Sequence, residues 1–303
     1  MKTELTFDRF RWVSIVKPDS ADATYLRDAC GFLPSHVESS MVASQRSRLL
    51  RGPGYVFLAM LFPAYDRGRR TIKPFEIDLF LSSDRIVTVQ DRSGPIVQEL
   101  TVAAEDGQLR PDGPVEFLEL LLDRLLTATF PMIDHISLEV HDIERRLFAG
   151  NERMFLEELV TVRRNIAVFR KAVQAHKFII RRVVNLLDGP SSVLPPNQPL
   201  VGFENLVEHT KEIWDALDVQ KEEVETLEST NESLISYRLN EIMRKYTTIS
   251  VMIFAMTLAA ALFTMDVDGR PLIHLKNAFW YILILETVIA VILWNIFKRK
   301  RLL

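Results

Sequence analysis

The sequence predicts a cytosolic α/β domain, then long helices, then two C-terminal transmembrane helices. Three observations carry that fold class. Residues 1–112 mix short apolar runs of strand character with short helical stretches. No Pro or Gly falls between Phe203 and Asp268. Two apolar stretches, Ile249–Met265 and Ala278–Phe297, lie beyond residue 248. Each approaches the roughly 20 helical residues that cross a hydrocarbon core about 30 Å thick.

Within residues 1–112, Trp12–Val16 alternates enough for a strand, and Tyr55–Phe62 is a continuous apolar run, the pattern of a buried strand. Ile77–Phe80 and Ile86–Val89 are separated by Ser82-Ser83-Asp84, a hairpin signal. Residues 21–29 and 35–49 have helical composition, and residues 104–114 read as a connection rich in Gly, Pro and charge. A helical region follows at 113–199. Leu118, Leu121, Leu122, Leu125 and Leu126 share one helix face there, and Pro131 kinks or breaks the helix. A second helix is expected from about 151 to 188, ended by the breakers of residues 189–199. Residues 200–248 then form the stalk of one helix of about 60 residues, near 90 Å at 1.5 Å per residue. This helix enters the first span at 249–265. An external loop at 266–277, the second span at 278–297 and a basic tail at 298–303 complete the organisation.

Arg244 and Lys245 precede the first span, and Lys298-Arg299-Lys300-Arg301 follows the second. The positive-inside bias therefore places both flanks, and with them both termini, in the cytoplasm beneath the inner (plasma) membrane. The tail has the composition of a nuclear-localisation patch, but directly after a span it reads as a topology anchor. The first residues are charged and lack the apolar segment of a signal peptide. A net charge of −3 argues against a nucleic-acid partner. A single cysteine, Cys30, excludes an intramolecular disulfide and a Cys-based zinc site. No Walker motif, HExxH or nucleophile elbow is present, so nothing points to an enzyme.

Steps of four and three along the long helix pick out Ser229, Ser233, Ser236, Asn240, Met243, Thr247, Ser250, Phe254, Thr257, Ala261 and Thr264. This 3.5-residue period is the seam of a left-handed bundle. The seam stays partly polar inside the span, where lipid offers hydroxyls no partner, so it should face protein or water. Ile249, Val251, Met252, Ile253, Leu258, Leu262 and Phe263 flank it with apolar surface. Two readings follow. One is close helix packing through small residues. The other is a pore, with several copies of the helix around an axis. There the Asn240 amide holds a hydrated cation at the entrance, and Met243 and Phe254 form apolar rings that gate by dewetting.

The stretch LISYRLNEIM at 234–243, followed by TTIS at 247–250, resembles the CorA family of divalent-cation channels. The basic end of the chain extends the resemblance. So, more weakly, do Trp12, Arg51 with YVFL at 55–58, and IDLFL at 77–81 before IVTV at 86–89. The resemblance implies a funnel-shaped homopentamer in the membrane, with the first span lining a central pore. It also implies Asn240 at the cytoplasmic mouth and Met243 near the constriction. A divalent cation, Mg²⁺ first and Zn²⁺, Co²⁺ or Ni²⁺ as related cargo, would be substrate and also regulator, with no covalently bound cofactor. In the family, cytosolic Mg²⁺ between subunits closes the pore.

The family's outer-mouth triplet is Gly-Met-Asn. Counted without gaps from Asn240, it falls here on Thr264-Met265-Asp266, after Phe263. In a pentamer Asp266 would form a ring of five carboxylates with Asp268 close by, a hard-oxygen site that attracts cations. The plainer alternative is a polar turn offset by Arg270 and Lys276. Residues 266–269 match the start of an EF-hand loop but lack its terminal Glu. Glu286, near the middle of the second span, is either a neutral group bonded to a hydroxyl such as Thr257 or a proton carrier. His135 and Glu139 share a helix face, but His141 lies about 120° away, so a solvated face is expected there rather than a metal site. A membrane scaffold or sensor that kept the architecture without conducting is the alternative function.

Overall fold

The computed structural model describes residues 1–43, 46–148, 152–188, 201–265 and 277–300 and comprises two compact units, Met1–Thr226 and Leu227–Leu303. The first unit is built on a six-stranded sheet. Its strands are β1 (Lys2–Thr6), β2 (Arg11–Val16), β3 (Arg48–Gly52), β4 (Tyr55–Asp66), β5 (Thr71–Ser82) and β6 (Arg85–Gln90), in the order β1-β2-β6-β5-β4-β3. Only β2 and β6 pair in parallel, with Trp12 opposite Ile86; the remaining pairs are antiparallel.

The central strands are covered on both faces, which is why β4 reads as an unbroken apolar run. On one face Val13, Ile15, Phe57, Ala59, Phe80 and Val87 lie under Leu26, Phe32 and Val37. Those three come from the segment containing α1 (Ser20–Thr24), a π turn at Tyr25–Ala29, and α2 (Pro34–Met41). Asp19 starts α1 with a reciprocal capping box, accepting from Ala21 and Asp22 backbone N–H while Asp22 accepts from its own. On the other face Trp12 is fully buried, donates to Thr88 Oγ1 at 3.1 Å, and meets the Phe117 ring at 4.6 Å. Phe117 belongs to α4 (Pro114–Thr127), whose leucines at 118, 121, 122, 125 and 126 are all buried.

Helices α5 (Phe130–Phe148), α6 (Glu152–Val173), α7 (His176–Asp188) and the first part of α8 (Val201–Thr264) complete this unit. Helix α6 is tied to the start of β5 by Asn165. Its side-chain oxygen accepts from Ile72 N–H at 2.9 Å, and its amide donates to Arg70 O at 3.0 Å. Phe203, Leu206, Ile213, Leu217 and Val224 of α8 are buried in the same unit.

Four sequence expectations are corrected. The helix expected over 35–49 ends at Met41, and Arg48–Gly52 is a strand. The turn Gly52-Pro53-Gly54, with Gly54 at φ +75°, folds it back onto β4. Strand β1 was not expected. The connection at 104–114 is preceded by a helix, α3 (Pro95–Glu105), which Pro95 starts at a first-turn position where its missing N–H costs nothing. The single helix expected over 151–188 is two helices, broken at Gln174-Ala175, where His176 turns inward and bonds Leu61 O at 2.8 Å. Pro131 lies in the first turn of α5, just past the break at Ala128-Thr129.

Candidate functional site

Among the described residues, the second unit holds the distal part of α8 and α9 (Ala278–Arg299). Each helix carries an apolar stretch long enough to cross a bilayer, and almost none of either stretch is buried within the protein. Phe279, Trp280 and Tyr281 start α9, and Trp294 lies toward its other end; all four are exposed, as aromatic anchors at membrane interfaces are. Lys298 and Arg299 occupy the last turn of α9, where they complement the helix dipole. Arg301 lies outside the described residues.

All eleven seam positions of α8, from Ser229 to Thr264, are exposed, with Met243 at 62% and Phe254 at 70%. The covered side of the span is elsewhere. Thr248 is buried, and Met252, Ala255, Met256, Ala259, Ala260 and Phe263 are half-buried. At 100° per residue this covered set lies roughly half a turn around the helix from the seam. Helix α9 has a half-buried face of its own, formed by Ile282, Glu286, Ile289, Ala290, Leu293 and Phe297.

Three of the seam hydroxyls are bonded locally. Ser233 donates to Ser229 O at 2.9 Å, Thr257 to Ile253 O at 2.8 Å, and Thr264 to Ala261 O at 2.9 Å. A hydroxyl whose proton is used in this way keeps its lone pairs for an outside donor or cation. Ahead of the span Asn240 is exposed next to Glu241, which pairs with Lys245 at 2.8 Å. That hydrogen bond holds the Glu241 carboxyl below its ordinary range. Asn240, Met243, Thr247, Ser250, Phe254, Thr257 and Thr264 thus lie along one exposed line, with Met265 exposed just beyond it. Asp266 and Asp268 lie outside the described residues.

Glu286 is half-buried, and its Oε1 is buried with no hydrogen-bond partner. Thr257 is committed to its own helix. In the first unit, His135 and Glu139 come together at 3.5 Å, Tyr65 bonds His135 and Arg70 bonds Glu139, while His141 pairs with Glu144. Among the described residues no three His, Cys, Asp or Glu side chains converge as a ligand set. Sequence reasoning overlooked the burial of Asp78 on β5. The signal was the alternation of Glu76 and Asp78 with the apolar Phe75, Ile77, Leu79 and Phe80 inside one strand.

Comparison with known proteins places this arrangement. The chain is 22% identical over 292 residues to the putative metal ion transporter YfjQ of Bacillus subtilis, covering 95% of this chain and 88% of that protein. It is 22% identical over 293 residues to the cobalt/magnesium transport protein CorA of Thermotoga maritima, covering 96% and 82%. The complete structure of the CorA magnesium transporter of Methanocaldococcus jannaschii superposes with a TM-score of 0.83 at 18% identity, covering 98% of this chain and 93% of that one. The family model of the CorA-like Mg²⁺ transporter protein matches residues 7–299, so the chain, with its α/β domain, long helix and two C-terminal apolar helices, is a membrane protein of the CorA family.

Proposed function

We propose that the protein is a homopentameric divalent-cation channel or transporter of the inner membrane, with both termini cytoplasmic, and not an enzyme. The seam of α8 would line its pore. One observation carries this reading. Within the span Ser250, Thr257 and Thr264 are left exposed on the side of α8 opposite the covered one, where the exposed positions off the seam are apolar. Hydroxyls facing lipid have no outside partner, whereas the same hydroxyls around a common axis meet water and ions. Membership of the family supports transport as the activity and a metal ion as the cargo.

In this reading Asn240 receives the hydrated cation at the cytoplasmic mouth. Thr247, Ser250, Thr257 and Thr264 offer hydroxyl oxygens along the path, and Met243 and Phe254 narrow it. At the outer mouth Thr264, Met265 and Asp266 stand where the family carries Gly-Met-Asn, with Asp268 close by and Asp266 as the residue that recruits the ion. Glu286 has a structural role within the second span. Mg²⁺ is the expected substrate and regulator. The test is flux of Mg²⁺, Co²⁺, Ni²⁺, Zn²⁺ and Mn²⁺ into liposomes containing the purified full chain. Passage of any of these ions, lost in Asn240→Ala, is expected. Pentamers that pass none of the five refute the pore and leave a scaffold or sensor.

A further inference from the structure

Asp78 is a charged residue where the fold has little room for one. It sits in the middle of β5, opposite Ala59 of β4 and Val89 of β6, and is 4% exposed. Its Oδ1 is buried and has no hydrogen-bond partner. Glu76, two residues earlier, has its side chain on the same face of the strand and is also buried. Both line a cavity of about 230 Å³ at the end of the sheet, closed by Lys17 and Pro18 after β2, Ser40 to Ala43 at the end of α2, and Asp91 after β6.

We propose that this cavity is a binding site for a hard divalent cation, held by Asp78 and Glu76 within a single chain and separate from the pore. Ser40 Oγ donates to Val37 O at 2.9 Å, so its lone pairs remain for a metal or a metal-bound water. Asp91 lies at the rim as a further negative group. Two carboxylates with the remaining positions held by water is the ligand set that Mg²⁺ and Mn²⁺ take, and it needs no third acidic side chain. The volume fits: at about 30 Å³ per liquid water the cavity has room for a partly hydrated ion.

The surrounding charges favour a cation. Lys17 lines the cavity, and Arg48 of β3, which pairs with the other side of Ala59, acts on Asp78 from across β4. Arg48 spends its Nη2 on Ser39 O, and its Nε is not bonded to the carboxylate. Glu76 is the acid that acts on Asp78, and two like charges buried side by side favour a cation between them. The site is independent of the transport activity proposed above, because none of its residues belongs to α8 or α9.

The experiment counts Mn²⁺ bound per chain by electron paramagnetic resonance, using the chelator-treated full chain in detergent. Asp78→Asn and Glu76→Gln are each expected to bind one Mn²⁺ fewer per chain than wild type, Mg²⁺ should compete for that ion, and Asn240→Ala should retain it. A folded Asp78→Asn protein with the wild-type count overturns the site. A second measurement needs no variant. Crystals grown with Mn²⁺ should show an anomalous-difference peak between Glu76 and Asp78, and water alone at that position overturns the proposal.

Discussion

Replacing His176 with Gln tests how α7 is fastened to the sheet. His176 is fully buried at the break between α6 and α7. Its Nε2 donates to Leu61 O at 2.8 Å, its Nδ1 has no partner, and its ring lies 4.8 Å from that of Phe62. Burial lowers its pKa to about 4, against an ordinary value near 6.5. The folded state therefore holds the ring neutral, while the unfolded chain takes up a proton as pH falls below about 6.5. Stability is fully present above that pH. It declines by up to about 1.4 kcal/mol per pH unit on the way down and levels off below about pH 4, for a total loss of about 3 kcal/mol. Gln keeps an amide donor for Leu61 O and cannot titrate. Losing the ring should make His176→Gln less stable at pH 7 by about 1–2 kcal/mol, yet by pH 4 the two proteins should converge or cross. The assay is denaturant unfolding of the full chain in detergent, followed by tryptophan fluorescence. Trp12 and Trp214 lie in the first unit, and Trp280 and Trp294 contribute a background common to both proteins. Parallel stability curves for wild type and variant between pH 7 and 4 would refute the buried neutral imidazole.

Asn165→Ala should cost about 1–3 kcal/mol, because it leaves Ile72 N–H buried without its acceptor; faster amide exchange at Ile72 is the accompanying sign. Phe254→Ala should raise cation flux in liposomes and Phe254→Trp should lower it, and equal flux in all three proteins would remove Phe254 from the constriction. Asp266→Asn should reduce flux most at low ionic strength, where a carboxylate ring concentrates cations over the longest range; a variant indistinguishable from wild type at every salt concentration would count against the ring.

What could be read from residue order depended on how local the signal was. Strand β4 was legible because both of its faces are buried and its apolar run is unbroken. Strand β1 was not, because it is an edge strand that alternates half-buried and exposed residues, and only its pairing with β2 defines it. The break between α6 and α7 has no Pro or Gly to announce it. It is a tertiary effect, made where His176 reaches Leu61 on β4. The seam of α8 was fully legible as a periodicity, whereas the covered face opposite it required three dimensions. Asp78 was read as part of an apolar run because its strand neighbours dominate the pattern, and the burial of its unbonded Oδ1 emerges only from the packing around it.

The parallel pairing of β2 with β6 has a consequence for biosynthesis. Hairpins such as β4–β5 form from adjacent residues, but Trp12 cannot find Ile86 until β3, β4 and β5 have been made. The sheet is therefore slow to close, as structures rich in distant pairings are. Its last strand nevertheless ends at Gln90, far ahead of the first apolar stretch. At about 5–20 residues per second, the ribosome needs roughly ten to thirty seconds to reach that stretch. The sheet thus has time to assemble in water before any segment of the chain calls for the membrane.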